Sequence, residues 1–116
     1  MGLSSDWPKT TADKVAEYAT LNPLLDAMYK EFQELSRKKP DGQVGQTKAR
    51  MVNRLLKAIH QLLDGEPNRS YLDELNEDDL PQNSDVVLIL SQTAAAMNAF
   101  ERKYYRWDGS ERIWSV

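Results

Sequence analysis

Between Met51 and Leu63 the apolar residues Met51, Val52, Leu55, Leu56, Ile59, Leu62 and Leu63 recur at steps of one, three and four. This is the spacing of one face of an α-helix. It is the strongest such stripe in the chain. It predicts a helix from near Thr47 to just before Gly65, where glycine suits the left-handed residue that ends a helix. A stripe this apolar must be buried against something, and with 116 residues the partner surface has to come from one small domain. About two-thirds of the unfolded chain's surface can be buried at that size, enough for a core without metal or crosslinks.

The other punctuation is also helical. Thr10, Ala12 and Asp13 form a Thr-x-x-Asp start in which a hydroxyl and a carboxylate suit the exposed N–H groups of a first helix, expected to reach about Leu21. Asn22-Pro23 reads as the N-cap and first position of a second helix, because proline has no N–H to leave unsatisfied there. That helix carries Leu24, Leu25, Met28, Tyr29, Phe32 and Leu35 and runs to about Lys39, where Arg37, Lys38 and Lys39 suit the negative helix end before Pro40-Asp41-Gly42 stops it. After the Met51 helix, Ser70-Tyr71-Leu72-Asp73 predicts one or two helical turns through Leu75. Pro81 closes this acidic piece, and Asn83 or Ser84 caps a last helix from Asp85 to about Tyr105. The continuous run Val86–Leu90 would pass for a buried strand alone, but its pattern continues through Ala94 and Met97, so a helix buried nearly all round is expected. The expected fold is all-α: a small bundle of four main helices with a short acidic helical element between the third and fourth. It forms a single helical domain over 1–116, with an N-terminal arm over 1–9 and an aromatic segment over 106–116 docked on the bundle.

The formal charge of −3 gives no general attraction to nucleic acid or acidic membranes, but its distribution is uneven. From Arg37 to Lys57 seven basic residues stand against Asp41 alone, and from Asp64 to Asp85 eight acidic residues stand against Arg69 alone. Either the two segments neutralise each other, or they form two binding surfaces of opposite sign. The absence of an 18-residue apolar run leaves no membrane-spanning helix. The first residues lack a leader pattern, and Asp6 sits where N-myristoylation requires Ser or Thr. With no cysteine at all, the expected location is cytoplasmic.

Cysteine's absence also removes thiol catalysis and thiolate metal sites. His60 is the lone histidine and is expected at the boundary or surface of its helix. Glu31-x-x-Glu34 resembles half of the magnesium-binding pattern of the helical nucleoside-triphosphate pyrophosphohydrolases, but Gln46–Gln61 contains no Asp or Glu to supply the second half. Neither Glu-x-x-His pairs nor a calcium loop is present, so the expected protein is not an enzyme and takes no cofactor. Val44-Gly45-Gln46-Thr47-Lys48-Ala49 resembles the second half of a helix-hairpin-helix DNA-binding turn, although the glycine expected at 43 stands at 42.

Two functions follow from what is left. The first is a non-catalytic protein–protein interaction module, such as a small regulatory, adaptor or inhibitor/immunity-type protein. Its partner would be another protein of basic character, or a second copy in a homodimer. The candidate surface residues are Asp73, Glu74, Glu77, Asp78 and Asp79, with Trp107 and Trp114 as aromatic anchors if they do not simply staple the chain end to the core. The alternative is a nucleic-acid or phosphate binder using the basic loop and helix over 37–57, with Lys38, Lys39, Lys48, Arg50 and Arg54 as contacts.

Overall fold

A computed structural model describes residues 7–116. Three helices, α1 (Ala12–Lys38), α2 (Gln46–Leu62) and α3 (Asn83–Tyr104), are followed by two short strands, β1 (Tyr105–Trp107) and β2 (Arg112–Trp114). Met1–Asp6, and with them the acylation question at Asp6 and most of the expected arm over 1–9, lie outside the described residues.

The expectation of four main helices is corrected to three, because the two helices separated at Asn22-Pro23 are one. Helix α1 starts at Thr11, whose side chain accepts from the Lys14 N–H at 3.2 Å, and continues through Pro23. The reason is register. Tyr18, Leu21, Leu25, Met28, Phe32 and Leu35 keep alternating steps of three and four across the proline, and all six join the core or pack against it. The lost N–H and the steric conflict at Pro23 cost less than giving up that continuous buried stripe.

The expected acidic helical element, one or two turns through Leu75, is also cut short. A single 3-10 turn forms at Arg69–Tyr71, before the acidic residues, and residues 72–76 have no regular structure. Topology explains this. The Tyr18 hydroxyl meets Glu101 at 2.6 Å and Asn83 meets the Lys39 carbonyl at 2.9 Å, so α1 and α3 are antiparallel. Lys14 reaches the Asp64 carbonyl at 3.1 Å, so α1 and α2 are antiparallel too. Helices α2 and α3 therefore run in the same direction, and the link between them must return along the whole length of α2. An extended strap covers that distance in fewer residues than a helix does. Buried Leu72 and Leu75 hold it down.

The last helix ends at Tyr104, and an antiparallel hairpin follows that pairs Tyr105 with Trp114 and Trp107 with Arg112. Gly109 at φ +108° and the Asp108 carboxylate, which accepts from the Ser110 and Glu111 N–H groups at 2.9 Å, make the turn. The Trp114 ring meets Tyr18 edge-on, with centroids 5.2 Å apart, and lies tilted against Tyr105 at 4.9 Å. The hairpin also holds the start of α1, since the Thr10 N–H donates to the Ser115 carbonyl at 2.9 Å and the Ser115 N–H to Tyr104 at 2.7 Å.

The result is a rod of 56 × 24 × 20 Å with a radius of gyration of 16.4 Å, against about 13 Å for a compact chain of this length. Long parallel faces rather than a round core are the consequence. No helix among the described residues is long and apolar enough to cross a membrane.

Candidate functional site

Helix α2 has three distinct sides. Ala49, Val52, Leu56 and Ile59 are fully buried. Arg50, Asn53, Lys57 and His60 face the strap. Lys48, Met51 and Arg54 are exposed beside α1, with half-buried Ala58 and buried Leu55 beneath them, and together with Leu21, Leu24, Met28, Phe32 and Leu35 they line an open groove of ≈ 580 Å³. Neither α3 nor the strap contributes a residue to it. Two large apolar side chains stand on its walls in solvent, Leu24 on α1 at 54% exposure and Met51 on α2 at 47%. Charges on the lining are Glu31 on the α1 wall and Lys48 and Arg54 on the α2 wall. None of the three has an ion pair among the described residues.

No family model matches this chain. No curated protein and no solved structure matches it either. The site therefore has to be read from its own chemistry.

The strap side shows where the acidic residues go. Glu77 lies 3.7 Å from Arg50, and Glu74 lies 3.8 Å from Lys57 and 3.9 Å from His60. The basic and acidic segments thus meet in space at these positions. Asp73, Asp78 and Asp79 are exposed. Asp79 receives a bond from the Asn76 amide at 2.9 Å, and Asp78 is held through its backbone N–H, which donates to the Asn76 side chain at 3.0 Å. Asn53 is the residue that fixes the strap: 3% exposed, it donates to the Leu75 carbonyl and accepts from the Leu75 N–H, both at 2.8 Å, and donates to Glu77 at 2.9 Å. Its side-chain amide pairs with the Leu75 backbone as a neighbouring strand would.

His60 is buried, at 5% exposure, which corrects the expectation of a boundary or surface position. Neither ring nitrogen has a hydrogen-bond partner. Burial, aided by the charge of Arg69, pushes its pKa below the ordinary imidazole value, while Glu74 and Asp73 pull weakly the other way. Among the described residues no group of three or more His, Cys, Asp or Glu side chains could hold a metal ion.

The aromatic pair divides. Trp114 packs against Tyr18, Phe100 and Tyr105, whereas Trp107 is 61% exposed. The basic residues divide as well. Lys38, Lys39 and Lys48 share a second hollow of ≈ 510 Å³ beside the start of α2, where Gly45 provides no side-chain cap and the first turn carries no acidic residue. Arg50 is on the strap side and Arg54 on the groove.

The glycine turn that resembles half of a helix-hairpin-helix is built for packing. A Cβ on Gly42 would come 2.8 Å from the Asn83 amide nitrogen, and the loop is tied to the start of α3 by bonds from Val44 to Pro81 at 2.7 Å and from Asn83 to Gly42 at 2.8 Å. Gly45 has no heavy atom within 4 Å of such a Cβ. Gly42 is needed for close approach, and Gly45 is not.

Sequence reasoning did not find the groove. Leu24, Met28, Met51 and Leu55 were each visible as apolar positions, but only the way α1 and α2 pack shows that part of each stripe is left without a cover.

Proposed function

We propose that this protein is a non-catalytic protein–protein interaction module acting in the cytoplasm, and that the α1–α2 groove is its receiving surface. The observation that carries the reading is the apolar groove with Leu24 and Met51 standing in solvent on its two walls. Isolated exposed apolar residues are ordinary on protein surfaces; a continuous apolar lining between two helices is a surface shaped for another helix. The groove takes precedence over the acidic segment because Glu74 and Glu77 already pair with Lys57, His60 and Arg50 of their own chain. Among the aromatic candidates, Trp107 retains an exposed ring for a partner.

The test is affinity capture from source-cell lysate with the wild-type chain, Met51→Glu and the double variant Asp78→Lys/Asp79→Lys. A partner retained by the acidic-segment variant and lost with Met51→Glu supports the groove. A partner retained by Met51→Glu removes it.

A second reading, nucleic-acid or phosphate binding, is favoured by the convergence of Lys38, Lys39 and Lys48 beside the uncapped start of α2. Phosphate contacts release counterions, so such binding weakens steeply with salt. Absence of binding to a mixed-sequence duplex or single strand at low salt ends this reading.

A further inference from the structure

The groove's two walls carry opposite charge, Glu31 on α1 against Lys48 and Arg54 on α2. We propose that its occupant is the same groove of a second copy, so that the protein forms a two-fold homodimer through α1 and α2. This rests on the interaction-module reading above and names the partner.

The argument begins with symmetry. A two-fold axis lying in the interface, parallel to the helices and midway between α1 and α2, lays α1 of one copy over α2 of the other, and each contact occurs twice. Glu31 of each copy then faces the basic wall of the other. A heterologous helix would need its own acidic and basic groups placed to match. This face already has both, unpaired among the described residues.

The apolar pattern fits the same arrangement. On α1 exposed Leu24 and Glu31 alternate with Met28 and Leu35, the half-buried edge of the core stripe, so that Leu24, Met28, Glu31 and Leu35 follow one another at steps of four, three and four. That spacing seats side chains into the gaps of a facing helix, and a single charged residue within it sets the register. Met51 and Leu24, one on each wall, are the projecting knobs.

Size sets the strength. Fourteen residue steps from Leu21 to Leu35 make the face roughly 21 Å long, and two helices side by side make it roughly 20 Å wide. Covering it on both copies removes on the order of 1,000 Å², the lower end of specific interfaces. An interface of this size belongs with weak or transient assemblies, so association is sought across micromolar concentrations.

Sedimentation velocity from about 1 to about 500 µM tests this on the wild-type chain, Met51→Glu, Glu31→Arg, Arg54→Glu and the charge swap Glu31→Arg/Arg54→Glu, with far-UV circular dichroism to verify the fold of each variant. The wild type is expected to rise from 13.3 kDa toward twice that mass. Met51→Glu is expected to weaken association at least tenfold, each single charge reversal severalfold, and the swap to restore it to within about threefold of wild type. A wild type that stays monomeric, a dimer indifferent to Met51→Glu, or a swap that fails to rescue overturns the proposal. If the wild type is monomeric and a lysate partner is lost with Met51→Glu, the second copy is the wrong occupant while the module reading stands. If neither is seen, both fall.

Discussion

Replacing Asn53 with alanine removes the one side chain that attaches the strap to α2 from inside the core. Three hydrogen bonds go, two of them to the backbone N–H and carbonyl of buried Leu75. Each such bond contributes about 1 kcal/mol net, and a buried backbone group left without a partner costs about 1–3 kcal/mol. If Leu75 stays in place, two orphaned groups give a loss of roughly 2–6 kcal/mol; if the strap lifts into water, the groups are solvated but the burial of Leu72 and Leu75 is lost, about 1.5–3 kcal/mol each when complete. Either route leads to a destabilisation of about 3 kcal/mol, which for 116 residues lowers Tm by about 12 °C. Urea unfolding monitored by circular dichroism measures the first quantity. Native-state hydrogen exchange at the Leu75 amide separates the routes, because lifting abolishes its protection and orphaning does not. A loss below about 0.5 kcal/mol with Leu75 still protected would show that the strap is held by Leu72, Leu75 and the surface ion pairs alone, and would refute the reasoning.

Gly42→Ala is expected to destabilise by about 1–3 kcal/mol, because its methyl group meets the Asn83 amide and the Lys39 carbonyl, while Gly45→Ala stays within about 0.5 kcal/mol; equal effects in thermal unfolding would contradict the close approach at residue 42. Pro23→Ala restores a donor within reach of the Ala19 carbonyl and should raise stability by about 1–2 kcal/mol, offset in part by a freer unfolded chain; a loss would mean that the proline shapes α1. Burial holds the His60 pKa below its unfolded value, so the unfolded chain binds a proton that the folded chain refuses. Stability from this source is full above about pH 6.5, falls as pH drops through that value toward the lowered folded pKa, and is level below it. Unfolding of His60→Gln between about pH 7.5 and pH 5 should show a shallower decline than wild type, and parallel curves would remove the effect.

Much of the helical content could be read from the residues, and the places where it could not have identifiable causes. Asn22-Pro23 carries a strong local start signal, yet the steps from Tyr18 to Leu35 pass through it unbroken; local chemistry and register disagreed, and the buried register prevailed. The end of α3 was placed within a residue, but the hairpin beyond it was not recognised. Its signal is Asp108-Gly109 between two triplets rich in aromatic and β-branched residues, which is short enough to be taken for a docked coil. In the strap, Ser70–Asp73 imitates a helix start, yet the chain makes a single 3-10 turn there and then extends. What decides it is the distance between the end of α2 and the start of α3, a property of topology that no window of residues contains. The same holds for the site. Arg50, Lys57 and Arg54 are equivalent in sequence, and only the packing sends two of them to Glu77 and Glu74 and leaves the third beside Leu24 and Met51.

The bond from Thr10 to Ser115 means that the path from one to the other is nearly a closed ring. A glycine-rich bridge across that gap would therefore ask little of the backbone, and new ends could be opened where exposed Asp78 and Asp79 turn at the solvent side of the strap. Such a circular permutant keeps α1 and α2 consecutive and leaves their shared groove uncut, so the order in which the chain is synthesised can be changed without dividing the proposed binding surface.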